Sequence, residues 1–487
     1  MNFISTTFLV FLTLVFAVYW AIRRRRGQNL VLLVASYVFY SWWDWRFCGL
    51  LLISSLVDYG VGLGLGRTRA TRARRLWLIL SLVVNLVMLG FFKYFNFFAE
   101  NFQQLLASFG LTVNTVTLRI VLPVGISFYT FQTLSYTIDV YRGRIKPTKS
   151  LLDYGTFVSF FPQLVAGPIE RAPRLLPQFQ SPRRFDAVEA REGCRFILWG
   201  CFKKVVIADS LATIVDPIYG SPEGAVGPQF LLATMCFAFQ IYCDFSGYSD
   251  IAIGTGRLFG IRLVRNFAYP LFSQSPAEFW RRWHISLTTW FRDYVYIPLG
   301  GSRKSGARRA AAIIATFTLC GFWHGASWTF VVWGFVNALA VVPATLRLRR
   351  PRARVTERPA GSRLFPGPGV LLRVVATFSW VSLTLVLFRS PTFAQAGHIF
   401  AAMAGAMFDP ETWAVTARYV LGGHEVYQPL YYLGVFIFVE WVQRGRMHAL
   451  QLPRWPRPAR WLLYSLLIWM IFKEGATPGN DFIYFQF

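Results

Sequence analysis

The chain has 487 residues, 55% of them hydrophobic and 15% charged, with a mean hydropathy of +0.42. A water-soluble protein of that composition would expose more apolar surface than water tolerates, which excludes an ordinary soluble enzyme, and a disordered chain would be far more polar. The net charge is +27, but the basic residues sit in short clusters between apolar runs rather than in one basic domain, so nucleic-acid binding is excluded as well and the pattern reads as positive-inside topology.

Apolar runs of membrane-spanning length recur from end to end, enough for about 11 spans of about 20 residues each. The expected fold is an all-α polytopic membrane protein, residues 1–487 forming one membrane domain, with re-entrant or interfacial helices added. The first span runs from Asn2 to Ile22 and is followed by four arginines, Arg23 to Arg26. A cleavable signal carries its charge before the apolar stretch, so this segment reads as a permanent span with its N-terminus outside. Leu30 to Trp43 returns, Phe47 to Leu65 ends at the Arg67–Arg75 cluster, Leu76 to Phe98 goes out, and Leu118 to Tyr141 comes back to Arg142–Lys149. All five agree in sign with cytoplasmic basic loops. Such loops would also face anionic membrane lipid and could attract an anionic substrate.

Later spans are expected at Phe196 to Ile214, Phe230 to Ile253, Ala310 to Leu346 (two short helices), Val370 to Phe388, Leu430 to Val442 and Trp461 to Phe472. The further clusters Arg303–Arg309 and Arg347–Arg363 fall between them. The chain then divides into N-terminal spans (1–118), a catalytic core (119–346), a cytoplasmic linker rich in Arg, Pro and Gly (347–369) and C-terminal spans (370–487).

Two stretches do not read as simple spans. Phe157 to Gln178 is apolar but carries Pro162, Gly167, Pro168, Pro173 and Pro177. Proline breaks helices, and irregular backbone at membrane depth is tolerated only where it is buried in protein or lines a wet cavity, so a re-entrant element is expected. Ser273 to Gly301 mixes Trp280, Trp283 and Trp290 with Arg281, Arg282, His284, Arg292 and Asp293. It is too polar to span and too aromatic for a free loop, which suggests an interfacial helix. The six cysteines form no CxxC and lie mostly in apolar runs, against disulfides or a metal site.

Of five histidines, His324 stands inside an apolar run, in Gly-Phe-Trp-His-Gly-Ala-Ser. A polar residue there is a functional candidate by default, and imidazole suits proton transfer near neutral pH. A histidine that merely bonds a neighbouring helix is the competing reading. Gly321 and Gly325 would let a substrate or another helix approach. His284 reads equally as a member of an aromatic belt; His398, His424 and His448 sit near membrane ends or in loops. HExxH, Walker A, GxGxxG and GxSxG are absent, and no metal is expected. Asp244 and Asp250 lie six apart and would not share a helix face, against paired-carboxylate hydrolysis; their segment reads as a polar, glycine-broken cavity wall.

Several long strings resemble the membrane-bound O-acyltransferases, in the bacterial branch that O-acetylates exported polysaccharides. They are Pro123-Val-Gly-Ile-Ser-Phe-Tyr-Thr-Phe with Ser135-Tyr-Thr-Ile-Asp-Val-Tyr-Arg-Gly143, Phe161-Pro-Gln-Leu-Val-Ala-Gly-Pro-Ile169, and Asp244-Phe-Ser-Gly-Tyr-Ser-Asp-Ile-Ala-Ile-Gly254. Glu278-Phe-Trp-Arg-Arg-Trp-His-Ile-Ser-Leu287, Trp290-Phe-Arg-Asp-Tyr-Val-Tyr-Ile-Pro-Leu-Gly-Gly301, Gly321-Phe-Trp-His-Gly-Ala-Ser327 and the tail Phe482-Ile-Tyr-Phe-Gln-Phe487 continue the series. The resemblance implies that His324 is catalytic and that His284 is a second functional site. It implies acetyl-CoA as donor, reached from the cytoplasm of a bacterial inner membrane, and transfer across the membrane to a periplasmic SGNH-type acetyltransferase that modifies a polysaccharide. We expect Arg281, Arg282, Trp323, Asn337 and Asp244 to meet substrate, the arginine pair suiting the phosphates of coenzyme A.

Two departures stand out. Many relatives carry histidine in a Trp-Gly-x-x-His pattern where Trp333-Gly-Phe-Val-Asn337 has an amide, and the family's alginate-modifying members usually have histidine where Gln163 stands. The physical reading agrees with the resemblance: acyl transfer from a thioester needs a nucleophile or base and donors for the developing oxyanion. His324 could take a proton or carry the acetyl group. The competing classes are a transporter or flippase for a glycan or lipid-linked intermediate, and an acyltransferase for a lipid or protein acceptor.

Overall fold

The computed structural model describes residues 1–111, 118, 120–303, 306–347, 359–361, 364–453, 455–475 and 482–483. Most of the expected linker at 347–369 and part of the basic cluster at 303–309 lie outside the described residues, as does the tail beyond Ile483. All regular structure among the described residues is helical. The chain forms two compact units, Met1–Cys194 with Ile251–Val264, and Arg195–Asp250 with Arg265–Phe487.

The first unit opens with α1 (Thr6–Ala21), capped by the Ser5 hydroxyl, which accepts from the Phe8 amide. α2 (Arg25–Ser41), α3 (Cys48–Arg67) and α4 (Thr71–Leu89) follow, and a π turn at Gly90–Tyr94 leads into α5 (Phe95–Ser108). α6 (Ile126–Tyr141) begins only after Gly125, whose φ of +78° and contact with the Leu164 carbonyl require glycine. The span expected from Leu118 is therefore a 16-residue helix. Its register is set by Asp58 of α3, whose buried carboxylate accepts from Ser81 and Asn85 of α4 and from Thr137 of α6. The proline-rich stretch is broken as its sequence demands, into α7 (Leu151–Ser159), α8 (Phe161–Leu164) and α9 (Ala172–Gln180). α7 is tied to α2 because Asp153 accepts from Arg25 and Asn29.

α10 (Ala187–Cys201) and α12 (Gly227–Leu258) have residues in both units; α11 (Ser210–Gly220) belongs to the second. Between α10 and α11 the chain takes a π-helical stretch, Phe202–Asp209. α12 is continuous through Asp244 and Asp250, so the expected glycine-broken wall is an unbroken helix. Gly247 serves packing: a Cβ there would stand 2.7 Å from the Gly200 carbonyl.

The rest of the second unit holds α13 (Pro276–Arg282), α14 (Ile285–Phe291), α15 (Gly306–His324), α16 (Trp328–Arg347) and α17 (Pro368–Arg389). α18 (Phe393–Gly405), α19 (Pro410–Gly422), α20 (His424–Gln443) and α21 (Arg457–Glu474) complete it. Ser273 to Gly301 is two short α-helices broken at His284, the second running on into a π turn at Arg292–Tyr296, where one interfacial helix was expected. Ala310 to Leu346 is two helices, as expected, in close contact through glycine. A Cβ at Gly321 would stand 2.2 Å from the Phe330 carbonyl, and one at Gly334 2.3 Å from the Phe317 carbonyl. Gly334→Ala is therefore expected to push the pair apart and lower stability by about 1–3 kcal/mol, the usual range for overpacking. Thermal unfolding in nanodiscs measures it, and an unchanged midpoint would show that the pair has slack.

By length and composition, five described stretches are able to cross a membrane: Trp45–Arg67, Thr71–Ser108, Gly227–Leu258, Trp328–Leu346 and Pro368–Arg389. Other expected spans are shorter or less apolar helices, such as the 16-residue α1.

Candidate active site

His324 is the last residue of α15 and is 6% exposed. α15 and α16 meet at Gly321 and Gly334, and Gly325 has no room for a side chain because the Phe330 ring lies 2.2 Å from where its Cβ would be. The imidazole is thereby held against α16 and α17. Its ring centroid lies 4.9 Å from Trp323, 5.3 Å from Trp333 and 5.4 Å from Phe388, each nearly edge-on. His324, Trp280, Trp283, Trp333, Thr384 and Phe388 line part of a small cavity of ≈ 10 Å³, the room of about one water. Trp280 packs edge-on against Trp333 at 5.6 Å. The indole N–H groups of these two tryptophans are buried and have no acceptor among the described residues.

His284 joins α13 to α14 in the left-handed region, φ 42° and ψ 55°, a conformation that costs a non-glycine residue free energy and persists only where its surroundings impose it. Asn266 imposes it. Its carbonyl accepts from the Ile285 amide at 2.8 Å, and its side chain meets Ser286 and the His284 ring. Phe245 lies edge-on at 4.7 Å. His284 is 1% exposed, and burial pushes its pKa down to about 3, so the imidazole is neutral at physiological pH. Trp323 stands between the two histidines, 6.2 Å from His284 and 4.9 Å from His324.

The structure thus brings His284, Trp323 and His324 together. The Arg281–Arg282 pair it separates. Arg281 is exposed, while Arg282 is buried, pairs with Glu278 at 2.9 Å and donates to the Ala268 carbonyl. Asn337 lies one turn beyond Trp333. It donates to the Trp333 carbonyl and to Thr384 Oγ1 at 3.3 Å, so it meets the cavity through two residues of its lining and not directly. Asp244 is committed to Lys204 at 2.7 Å and to the Ile483 amide at 2.8 Å. Phe482 lies against Phe245 and Tyr248. In the first unit, Gln163 is buried and donates to the Phe157 carbonyl.

Sequence reading passed over Asn266 and the buried lysines of the π-helical stretch. Lys203 pairs with Asp250 at 2.7 Å, and Lys204 joins Asp244 and Asp209. Two adjacent cations inside the expected span Phe196–Ile214 were the available signal, since a buried charge requires a partner. Trp280 and Trp333 stood in strings that the sequence marks out, but nothing in it singled out their indole N–H groups, because tryptophan is common throughout the chain.

Residues 38–388 match the family model of the MBOAT, membrane-bound O-acyltransferase, family. The chain belongs to that family and is a multi-pass membrane O-acyltransferase. It is 43% identical over 407 residues to the "Probable alginate O-acetylase" of Azotobacter vinelandii, covering 83% of this chain and 78% of that one. It is 37% identical to the protein of the same name from Pseudomonas putida over the full length of both. With the "Peptidoglycan O-acetyltransferase" of Helicobacter pylori it shares 35% identity over 77% of this chain and 74% of the relative.

Proposed function

We propose that the protein takes acetyl from acetyl-CoA on the cytoplasmic side of a bacterial inner membrane and delivers it for O-acetylation of an exported or cell-wall polysaccharide. A periplasmic SGNH-type acetyltransferase completes the transfer. The observation that carries this reading is the buried imidazole of His324 in an aromatic cavity, one indole away from a second buried imidazole. The names of the relatives support a polymer acceptor over a lipid or protein one, and family membership argues against a transporter or flippase.

In this reading an acceptor oxygen attacks the thioester carbonyl while His324 takes its proton. The tetrahedral intermediate then expels the coenzyme A thiolate, which recovers the proton. Alternatively the imidazole attacks first and expels the thiolate, and the acceptor oxygen then takes the acetyl group as the nitrogen–acyl bond breaks, the acceptor's proton passing to the ring it frees. Both routes build negative charge on the carbonyl oxygen, and the indole N–H groups of Trp280 and Trp333 are donors in the cavity wall able to receive it. A cavity of ≈ 10 Å³ has no room for an acetyl thioester, so the aromatic wall must shift to admit it.

The split of the arginine pair sharpens the donor test. In this reading Arg281, being exposed, is the residue that meets the phosphates of coenzyme A. Arg281→Gln should raise the KM for acetyl-CoA several-fold with kcat nearly unchanged. Arg282→Gln should instead lower thermal stability, because Glu278 loses its buried partner. An unchanged KM in Arg281→Gln would remove Arg281 from donor binding.

A further inference from the structure

We infer that Asn266 is a positioning residue that fixes the tautomer of His284, placing the proton on Nδ1 and leaving Nε2 as the basic nitrogen. The inference rests on the reading of His284 as part of the acetyl-transfer site, and it extends that reading to a residue 18 positions away.

The Ser286 backbone amide is a group whose hydrogen-bonding role is fixed. It can only donate, and it points at one atom of the Asn266 amide at 3.3 Å. That atom is therefore the oxygen, Oδ1, and the amide is not reversed. The Ser286 hydroxyl also donates to it, at 2.9 Å. The other end of the amide, Nδ2, donates to Ser249 Oγ on α12 at 3.2 Å, which holds the side chain from behind.

His284 Nδ1 lies 3.1 Å from this same Oδ1. Two acceptors facing each other at that distance would repel, so Nδ1 carries the hydrogen and donates it. Ser286 Oγ, 3.5 Å from Nδ1, already gives its hydrogen to Oδ1 and turns a lone pair toward the imidazole, which agrees with the assignment. A neutral imidazole has one N–H, so the lone pair belongs to Nε2. The surroundings keep the ring neutral: His284 is 1% exposed, with Phe245, Phe267 and Trp323 around it.

Backbone and side chain of Asn266 then act on one residue together. The carbonyl holds the turn through the Ile285 amide, and the side chain selects which ring nitrogen is basic. A turn that served packing alone would need neither the left-handed histidine nor an amide acceptor, since glycine at that position avoids the strain.

The test has a spectroscopic and a kinetic arm. In protein labelled with ¹⁵N in its histidine side chains and held in nanodiscs, the His284 signals are identified by their loss in His284→Ala. We expect the proton on Nδ1 in the unsubstituted protein, its transfer in part or whole to Nε2 in Asn266→Ala, and its return to Nδ1 in Asn266→Asp, which keeps the acceptor. A proton on Nε2 in the unsubstituted protein overturns the inference, whether or not the Asn266 variants fold. In the kinetic arm, Asn266→Ala should lower acetyl transfer at least about tenfold, within the range of general acid–base effects, with little change in KM. The same substitution in a His284→Ala background should add less than about twofold, because its effect passes through the missing ring. Full additivity overturns the positioning role. A His284→Ala variant with full activity would refute the place of His284 in transfer, and the spectrum would still decide the tautomer by itself.

Discussion

His324→Ala is expected to insert and fold, and to lose acetyl transfer by about 10² to 10⁴-fold, the usual contribution of a general base, or by more if the imidazole carries the acetyl group. Folding should survive because the tight contact between α15 and α16 is made by Gly321 and Gly334 with the Phe317 and Phe330 carbonyls, not by the histidine. The imidazole does contribute edge-on ring contacts to Trp333 and Phe388, so a modest fall in the unfolding midpoint is expected. A loss of activity with a well-preserved midpoint separates chemistry from packing. His324→Gln, nearer in size and unable to accept a proton at neutral pH, should be as inactive as the alanine variant.

The second large effect is one of stability. Lys204→Met removes the ammonium that faces Asp244 and Asp209 and leaves the buried Asp244 carboxylate and the partly exposed Asp209 carboxylate without it. Breaking a buried pair in this way costs about 3–5 kcal/mol, because the partner charge stays uncompensated. The variant should unfold at a much lower temperature in nanodiscs and accumulate poorly in membranes. Adding Asp244→Asn should recover part of the loss, since an amide keeps an acceptor for the Ile483 amide and carries no charge. A loss below about 1 kcal/mol in the single variant, the range of an exposed pair, would mean that water reaches the cluster.

His324 was legible because a histidine in an apolar run stands out by composition alone, and the α15–α16 hairpin was legible because Gly-Phe-Trp-His-Gly interrupts a run too long for one span. The breaks between α7, α8 and α9 followed from their prolines. Other features depend on contacts that no local pattern carries. Arg281 and Arg282 are neighbours in sequence, yet one faces out and the other closes an i,i+4 pair with Glu278, because adjacent residues on a helix point about 100° apart and the packing of the short helix decides which of the two faces is buried. The late start of α6 depends on Gly125 meeting the Leu164 carbonyl across the first unit. α18 and α19 were passed over because each is 13 residues long, too short for a membrane-span pattern, and is marked mainly by the caps Thr392 and Asp409. Asn266 escaped notice because its partner lies 18 residues away and asparagine in a loop is unremarkable by itself.

The central claim is that an acetyl group leaves acetyl-CoA at His324. Purified protein in proteoliposomes, given acetyl-CoA labelled in the acetyl group together with a polysaccharide acceptor and the proposed periplasmic transferase, tests it when the unsubstituted chain and His324→Ala are run side by side. Labelled acetyl is expected on the polymer with the unsubstituted chain, and at least about a hundredfold less with the variant. A variant that keeps more than about a tenth of the rate, a loss smaller than removal of a general base causes, would contradict it and make His324 a packing residue.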